Sequence, residues 1–236
     1  MNNLLENASR ELASVIRGLS TETDVKNKLV VAKSGAKLLK RPDFVWYELP
    51  LSFATMGNSR GAEGLMRTPA NYRRVTFPSL LKKRSSRSRL DELRTVLHLA
   101  KVRMPDKKAS LLADAFERIR SAGGPSRVKK DLLTRNGREG KIDFWREFKG
   151  IGEKYSRNVM MDIYHPEFRD SIAIDQRIKK ISRTLGLRFG TYDEEEQFYR
   201  DVARQAGVNG WELDRMLYGF RDRIISELRK HSKRAA

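Results

Sequence analysis

The sequence predicts an all-α fold, on three observations. Apolar residues recur at intervals of three and four along nearly the whole chain, the spacing of one face of an α-helix. No convincing run alternates apolar and polar residues as a half-buried strand does. Breaks fall at Arg41-Pro42, Thr68-Pro69, Phe77-Pro78, Met104-Pro105, Gly123-Gly124-Pro125 and His165-Pro166, which divide the chain into helix-length pieces. Together these give about ten to twelve helices.

Individual elements follow from the same spacing. Residues 22–40 place Val25, Leu29, Ala32, Ala36 and Leu39 on one face. Residues 89–103 do so with Leu90, Leu93, Leu97 and Ala100, and residues 211–230 with Leu213, Leu217, Phe220, Ile224 and Leu228. The stretch LKKRSSRSR (81–89) reads as a solvated basic loop that can add phosphate contacts. The acidic run DEEEQ (193–197) reads as the first turn of a helix, where negative charge suits the dipole.

Composition narrows the partners. The chain has 236 residues, enough for one large or two small domains with a real core. It carries 49 Lys+Arg against 30 Asp+Glu, a net charge of +19. An excess of that size points to a polyanion, and no apolar run approaches the length needed to span a bilayer, so nucleic acid is favoured over membrane. There is no cysteine, which excludes disulfides, thiolate zinc sites and thiolate-held iron–sulfur clusters. The three histidines, His98, His165 and His231, do not cluster, and no metal site is expected.

The stretch FWREFKGIGEKYSRNVMMDI (144–163) carries the most specific signal. Phe144 and Phe148 lie one helical turn apart, Gly150 and Gly152 flank Ile151, and Val159 and Ile163 resume apolar spacing on a second helix. Ile151 suits the gap between two helices. The amides of Gly150, Gly152 and the following first turn suit a phosphate, with no basic side chain required. This is a helix-hairpin-helix pattern, a sequence-independent clamp on the DNA backbone. Lys154 sits in the first turn of the second helix. One reading makes it another phosphate contact. The other makes it a nucleophile, because the positive end of the helix dipole disfavours the ammonium form. Lys149 adds a possible phosphate contact.

A lone aspartate, Asp175, follows the apolar run SIAI and precedes QRIKKISRTLGL. It reads as a helix N-cap. It also lies 175 − 154 = 21 residues from Lys154, a helix and a short loop away, which is enough to return its carboxylate beside the start of the hairpin's second helix.

These residues resemble the helix-hairpin-helix/GPD superfamily of DNA glycosylases. FKGIGEKYS resembles the family's Leu-Pro-Gly-Val-Gly-x-Lys-Thr-Ala. IAIDQRIKKISRTLGL resembles the segment that carries the family's essential aspartate. KVRMPDKKASLLADAFERI (101–119) resembles the helix that precedes the hairpin. The resemblance implies two helical lobes with an active-site cleft between them. A six-helix lobe over 43–170 carries the helix-hairpin-helix (144–163), and 1–42 plus 171–236 form the second lobe. It implies Lys154 as nucleophile, the mark of the bifunctional branch, and Asp175 as the carboxylate that stabilises positive charge on the sugar. The absence of cysteine directs the likeness to the cluster-free 8-oxoguanine glycosylases. In two places the sequence departs from the family: Lys149 replaces its proline, and Ser156 its small alanine, tolerable if the hydroxyl bonds back to the helix.

The resemblance also implies a base-excision-repair enzyme, a DNA N-glycosylase with AP lyase activity on an oxidised base. It needs no cofactor and acts as a monomer on double-stranded DNA containing a damaged base. Its location would be the nucleoid-associated cytoplasm of a prokaryote or the nucleus of a eukaryote. A monofunctional glycosylase for alkylated or other damaged bases and a non-enzymatic DNA clamp stay open as alternatives. TMGNSRG (55–61) falls where the family fills the gap left by a flipped base, with Met56 as wedge and Asn58 or Arg60 facing the orphaned base. Arg177 falls beside a backbone phosphate. Trp211 and Tyr155 are the candidates for a base pocket, whereas Phe144 reads as core.

Overall fold

The computed structural model describes residues 2–57 and 60–234. Among the described residues all regular structure is helical: fifteen α-helices, two short 3-10 segments and no strand. The all-α expectation holds. In chain order the helices are α1 (Asn2–Ser20), α2 (Thr23–Lys33), α3 (Phe44–Thr55), α4 (Arg60–Met66), α5 (Pro69–Arg74), α6 (Phe77–Leu81), α7 (Ser86–Leu99), α8 (Pro105–Ser121), α9 (Pro125–Thr134), α10 (Gly137–Arg146), α11 (Glu153–Asp162), α12 (Gln176–Thr184), α13 (Tyr192–Ala206), α14 (Gly210–Gly219) and α15 (Arg221–Arg234).

The chain divides into two compact units, Met1–Lys37 with Glu153–Ala236, and Leu38–Gly152. The first is built around α1, whose Leu12 and Ile16 are wholly buried with Ile178 and Ile181 of α12, Tyr199 and Val202 of α13, Leu213 and Leu217 of α14 and Leu228 of α15. Each such aliphatic side chain contributes roughly 1.5–3 kcal/mol through burial. The second unit has an aromatic core. Trp46 of α3 meets Phe77 at 5.7 Å and Phe116 at 5.6 Å between ring centres, and its indole N–H donates to the Val75 carbonyl at 2.9 Å. Phe144 and Trp145 of α10 pack with Phe148, and Phe144 is core as expected.

The unit boundary falls at 152, not at 170, and the second unit carries eight helices, α3 to α10, where six were expected. Helix α11 joins the first unit for an evident physical reason. The Trp211 indole donates to the Met161 carbonyl at 2.7 Å, Arg215 pairs with Asp162 at 2.9 Å, and buried Arg157 pairs with buried Glu196. The hairpin's turn and its second helix therefore lie in different units.

Three local expectations are corrected. The 22–40 helix is α at Thr23–Lys33 but tightens to 3-10 at Ser34–Lys40. There Gly35 lies so close to the Asp162 carbonyl that a Cβ would sit 1.9 Å from the oxygen. The 211–230 periodicity covers two helices, α14 and α15, separated at Phe220. The basic stretch 81–89 is half helix, because Ser85 and Ser88 form a capping box that starts α7. Its Arg89 is not solvated: the guanidinium is buried against Glu117 at 2.6 Å and the Lys83 carbonyl at 3.0 Å. The DEEEQ run does open a helix, with a capping box between Thr191 and Glu194.

Candidate active site

Residues 147–152 link α10 to α11. Ile151 is 5 % exposed, and its amide donates to the Phe148 carbonyl at 3.0 Å, closing the turn. Gly150 has φ +87°, and a Cβ there would lie 2.8 Å from Leu111 and 2.9 Å from the Phe53 ring. Positive φ and close packing both require glycine at this position. Gly152 differs: its φ is ordinary, and a Cβ would meet nothing within 4 Å. The fold leaves that position open. Gly150→Ala is therefore expected to lower the melting temperature by several degrees, and Gly152→Ala to leave it within about one degree. If a phosphate approaches the turn, Gly152→Ala will weaken duplex binding, so thermal melts and fluorescence anisotropy on the two variants separate the roles. Lys149 is exposed and pairs with Asp114 at 3.2 Å.

Helix α11 opens with Glu153 and Lys154, and Ser156 is wholly buried with its hydroxyl donating to the Glu153 carbonyl at 2.9 Å. The hydroxyl is thus satisfied within the helix. The Lys154 amine lies 4.4 Å from the centre of the half-buried Tyr155 ring. Asn158 and Asp162 follow Lys154 at intervals of four, on the same face of the helix.

Asp175 is the N-cap of α12, as its position in the sequence predicts. Its carboxylate accepts from the Arg177 amide at 2.8 Å and the Ile178 amide at 3.0 Å. The approach to it, Ser171 to Ile174, is buried and belongs to no helix. Buried amides there need partners, and side chains supply them. Ile172 donates to Glu196 at 3.0 Å, Ala173 to Asp214 at 2.8 Å and Ile174 to the Tyr192 oxygen at 2.8 Å, while the Tyr192 hydroxyl donates to the Ile172 carbonyl at 2.9 Å.

Lys154 and Asp175 belong to the same unit, which also holds a cluster of charges around Arg215. Arg215 pairs with Asp162 at 2.9 Å and with Asp214 at 3.5 Å, and Asn158 donates to Asp162 at 2.7 Å. Burial pushes the Asp214 carboxyl up to about 6. Arg215, the Ala173 amide and the Lys154 charge hold it down, while Asp162 pushes it further up. The Asp162 carboxyl is likewise raised by desolvation, although its side chain is 38 % exposed, and Arg215 and Lys154 lower it. Asp214 thus holds the Ala173 amide, two residues from Asp175.

A raised aspartate stabilises the fold most when protonated. Asp214's contribution is complete below the ordinary aspartate range and is lost as pH rises through about 6. Asp214→Asn keeps an acceptor for the Ala173 amide and removes that dependence. The melting temperature of the variant relative to the parent is expected to rise between pH 5 and pH 7.5; thermal melts across that range check it.

Other sequence candidates fall as follows. Trp211 is corrected: it is 1 % exposed, with its N–H satisfied by Met161, so it offers no face to an incoming base. Its position after a helix start suggested a pocket, but the ring packs at 4.6 Å on Tyr164. Arg177 is exposed and its guanidinium lies 4.4 Å over the Tyr218 ring. Met56 is half-buried, with its carbonyl held by the buried Lys108 ammonium at 2.8 Å; Arg60 is exposed at the start of α4; Asn58 lies outside the described residues. Unread in the sequence were Asp162, Asp214 and Arg215, and also Met104, an exposed apolar residue in the left-handed region (φ +54°) at the start of α8. Its only local signal was a methionine before proline.

The chain shares its all-α fold with a DNA glycosylase of known structure. That structure is the Methanocaldococcus jannaschii 8-oxoguanine glycosylase/lyase in complex with 15mer DNA containing 8-oxoguanine. It aligns at a TM-score of 0.68 with 18 % identity, covering 89 % of this chain and 97 % of that one. No family model matches the sequence, and no curated protein matches it.

Proposed function

We propose that the protein is a base-excision-repair DNA glycosylase with AP lyase activity, acting on an oxidised base of the 8-oxoguanine kind. The observation that carries this reading is the placement of Lys154. It opens the helix after a Gly-Ile-Gly turn, in the same compact unit as Asp175, the N-cap of α12. The shared fold and the net charge of +19 support it. A plain clamp needs neither an isolated aspartate capping a helix at that point nor a lysine in that turn.

In this reading the damaged nucleotide leaves the stack so that its C1′ becomes accessible. Gly150, Gly152 and Lys149 hold the backbone near the lesion, and Arg177 contacts a neighbouring phosphate. Met56 and Arg60 fill the vacated space, with Met104 as a second apolar wedge. As the bond from C1′ to the base breaks, its electron pair leaves with the base and positive charge grows on the sugar, which the Asp175 carboxylate stabilises. The uncharged Lys154 amine attacks C1′ and loses a proton, and the sugar ring opens to a Schiff base. Loss of a C2′ proton then expels the 3′ phosphate by β-elimination. No diffusible cofactor enters any step, and the protein acts as a monomer on duplex DNA.

Incubation with a panel of lesion duplexes and borohydride tests the proposal. A covalent protein–DNA adduct with 8-oxoguanine supports it. Base release without an adduct would instead point to a monofunctional glycosylase, and binding alone to a clamp.

A further inference from the structure

Arg157 lies on α11 three residues after Lys154 and is almost wholly buried, with its side chain 3 % exposed. A buried guanidinium is retained only where its donors are matched, and here every nitrogen is used. Nε donates to Glu196 Oε2 at 2.9 Å. Nη1 donates to the Glu153 carboxylate at 2.6 Å and the Glu153 carbonyl at 3.2 Å. Nη2 donates to Asp193 at 3.2 Å. The guanidinium carbon sits 4.4 Å over the Tyr192 ring.

Of the three α13 groups that Arg157 meets, Glu196 and Tyr192 also hold the approach to Asp175. Glu196 uses its other oxygen, Oε1, for the Ile172 amide, and Tyr192 bridges the Ile172 carbonyl and the Ile174 amide. A continuous set of bonds therefore runs from the Lys154 helix through one guanidinium to the residue preceding Asp175. The segment has no regular structure of its own to hold it, so its position follows from these side chains.

We propose that Arg157 is a positioning residue that sets the Asp175 carboxylate relative to the Lys154 amine, acting through Glu196 and Tyr192. It touches neither DNA nor the reacting sugar. This rests on the glycosylase reading above. A planar fork is needed, because three carboxylates are met at once from one side chain; lysine supplies the charge but not the geometry.

The test compares the parent protein with Arg157→Gln, Arg157→Lys, Glu196→Gln and each combined with Asp175→Asn. Single-turnover base release is measured on a duplex containing 8-oxoguanine, and borohydride trapping on a duplex with a preformed abasic site. Affinity for undamaged duplex is measured beside them. Arg157→Gln and Glu196→Gln are expected to slow base release by about 10²-fold, the effect of a displacement on the order of 1 Å. Affinity for undamaged duplex should change by less than about threefold. Arg157→Lys should fall between parent and Arg157→Gln. Each double variant should lose little more than Asp175→Asn alone does, because all act through one carboxylate.

Losses that multiply in the double variants, or full activity in Arg157→Gln and Glu196→Gln, would overturn the proposal. Should Arg157→Gln not fold, Glu196→Gln carries the same comparison. A parent protein inactive on both duplexes would mean that the glycosylase reading itself has failed, and the positioning role with it.

Discussion

Replacing Lys154 with alanine or glutamine is expected to abolish the borohydride-trapped adduct and to lower strand cleavage by roughly 10³-fold or more, as loss of a covalent nucleophile does. Little else should change. The side chain is half-exposed, and its local contact is the Tyr155 ring at 4.4 Å, an interaction worth about 0.5–1 kcal/mol. The melting temperature and the affinity for undamaged duplex should therefore stay close to those of the parent. Denaturing electrophoresis after borohydride reduction reads the chemistry, and anisotropy titration reads the binding. An adduct that persists undiminished in Lys154→Ala would place the nucleophile elsewhere.

The second large effect is expected at Asp175. Asparagine caps a helix about as well as aspartate, so Asp175→Asn keeps the bonds from the Arg177 and Ile178 amides and the fold with them. What it removes is the negative charge. Base release should fall by about 10²–10³-fold, the cost of deleting one preorganised electrostatic group, with duplex affinity nearly unchanged. Asp175→Ala should show the same catalytic loss and in addition cost about 1 kcal/mol of stability as the cap disappears. Single-turnover kinetics with thermal melts distinguish the two variants. An Asp175→Asn protein as active as the parent would remove the carboxylate from the mechanism.

Helix type was legible wherever the periodicity was long. The 89–103 spacing corresponds to α7, and the Phe144 and Val159 patterns to α10 and α11. Short helices were not. α4, α5 and α6 span seven, six and five residues, too few for a period of 3.6 to repeat twice. The continuous reading of 211–230 failed because α14 and α15 keep the same apolar spacing across the break at Phe220, so the pattern alone carries no sign of it. At the site, the Asp175 cap was legible because capping is a bond between near neighbours in the chain. Trp211 was misread because exposure is not a local property: only Met161, fifty residues away, shows that its N–H is already used.

The sequence by itself determined the helical class, the glycine turn and the cap at Asp175, since each depends on backbone geometry within a few residues. Tertiary structure alone decided which charges are buried. Glu195 and Glu196 sit in a run that reads as the first turn of a helix, yet they face inward to Ser182 and to Arg157, and Arg215 brings Asp162 of α11 beside its own neighbour Asp214. The reason is physical. A buried ion is tolerable only where distant partners converge on it, and convergence is a property of the folded chain, not of any short stretch of it.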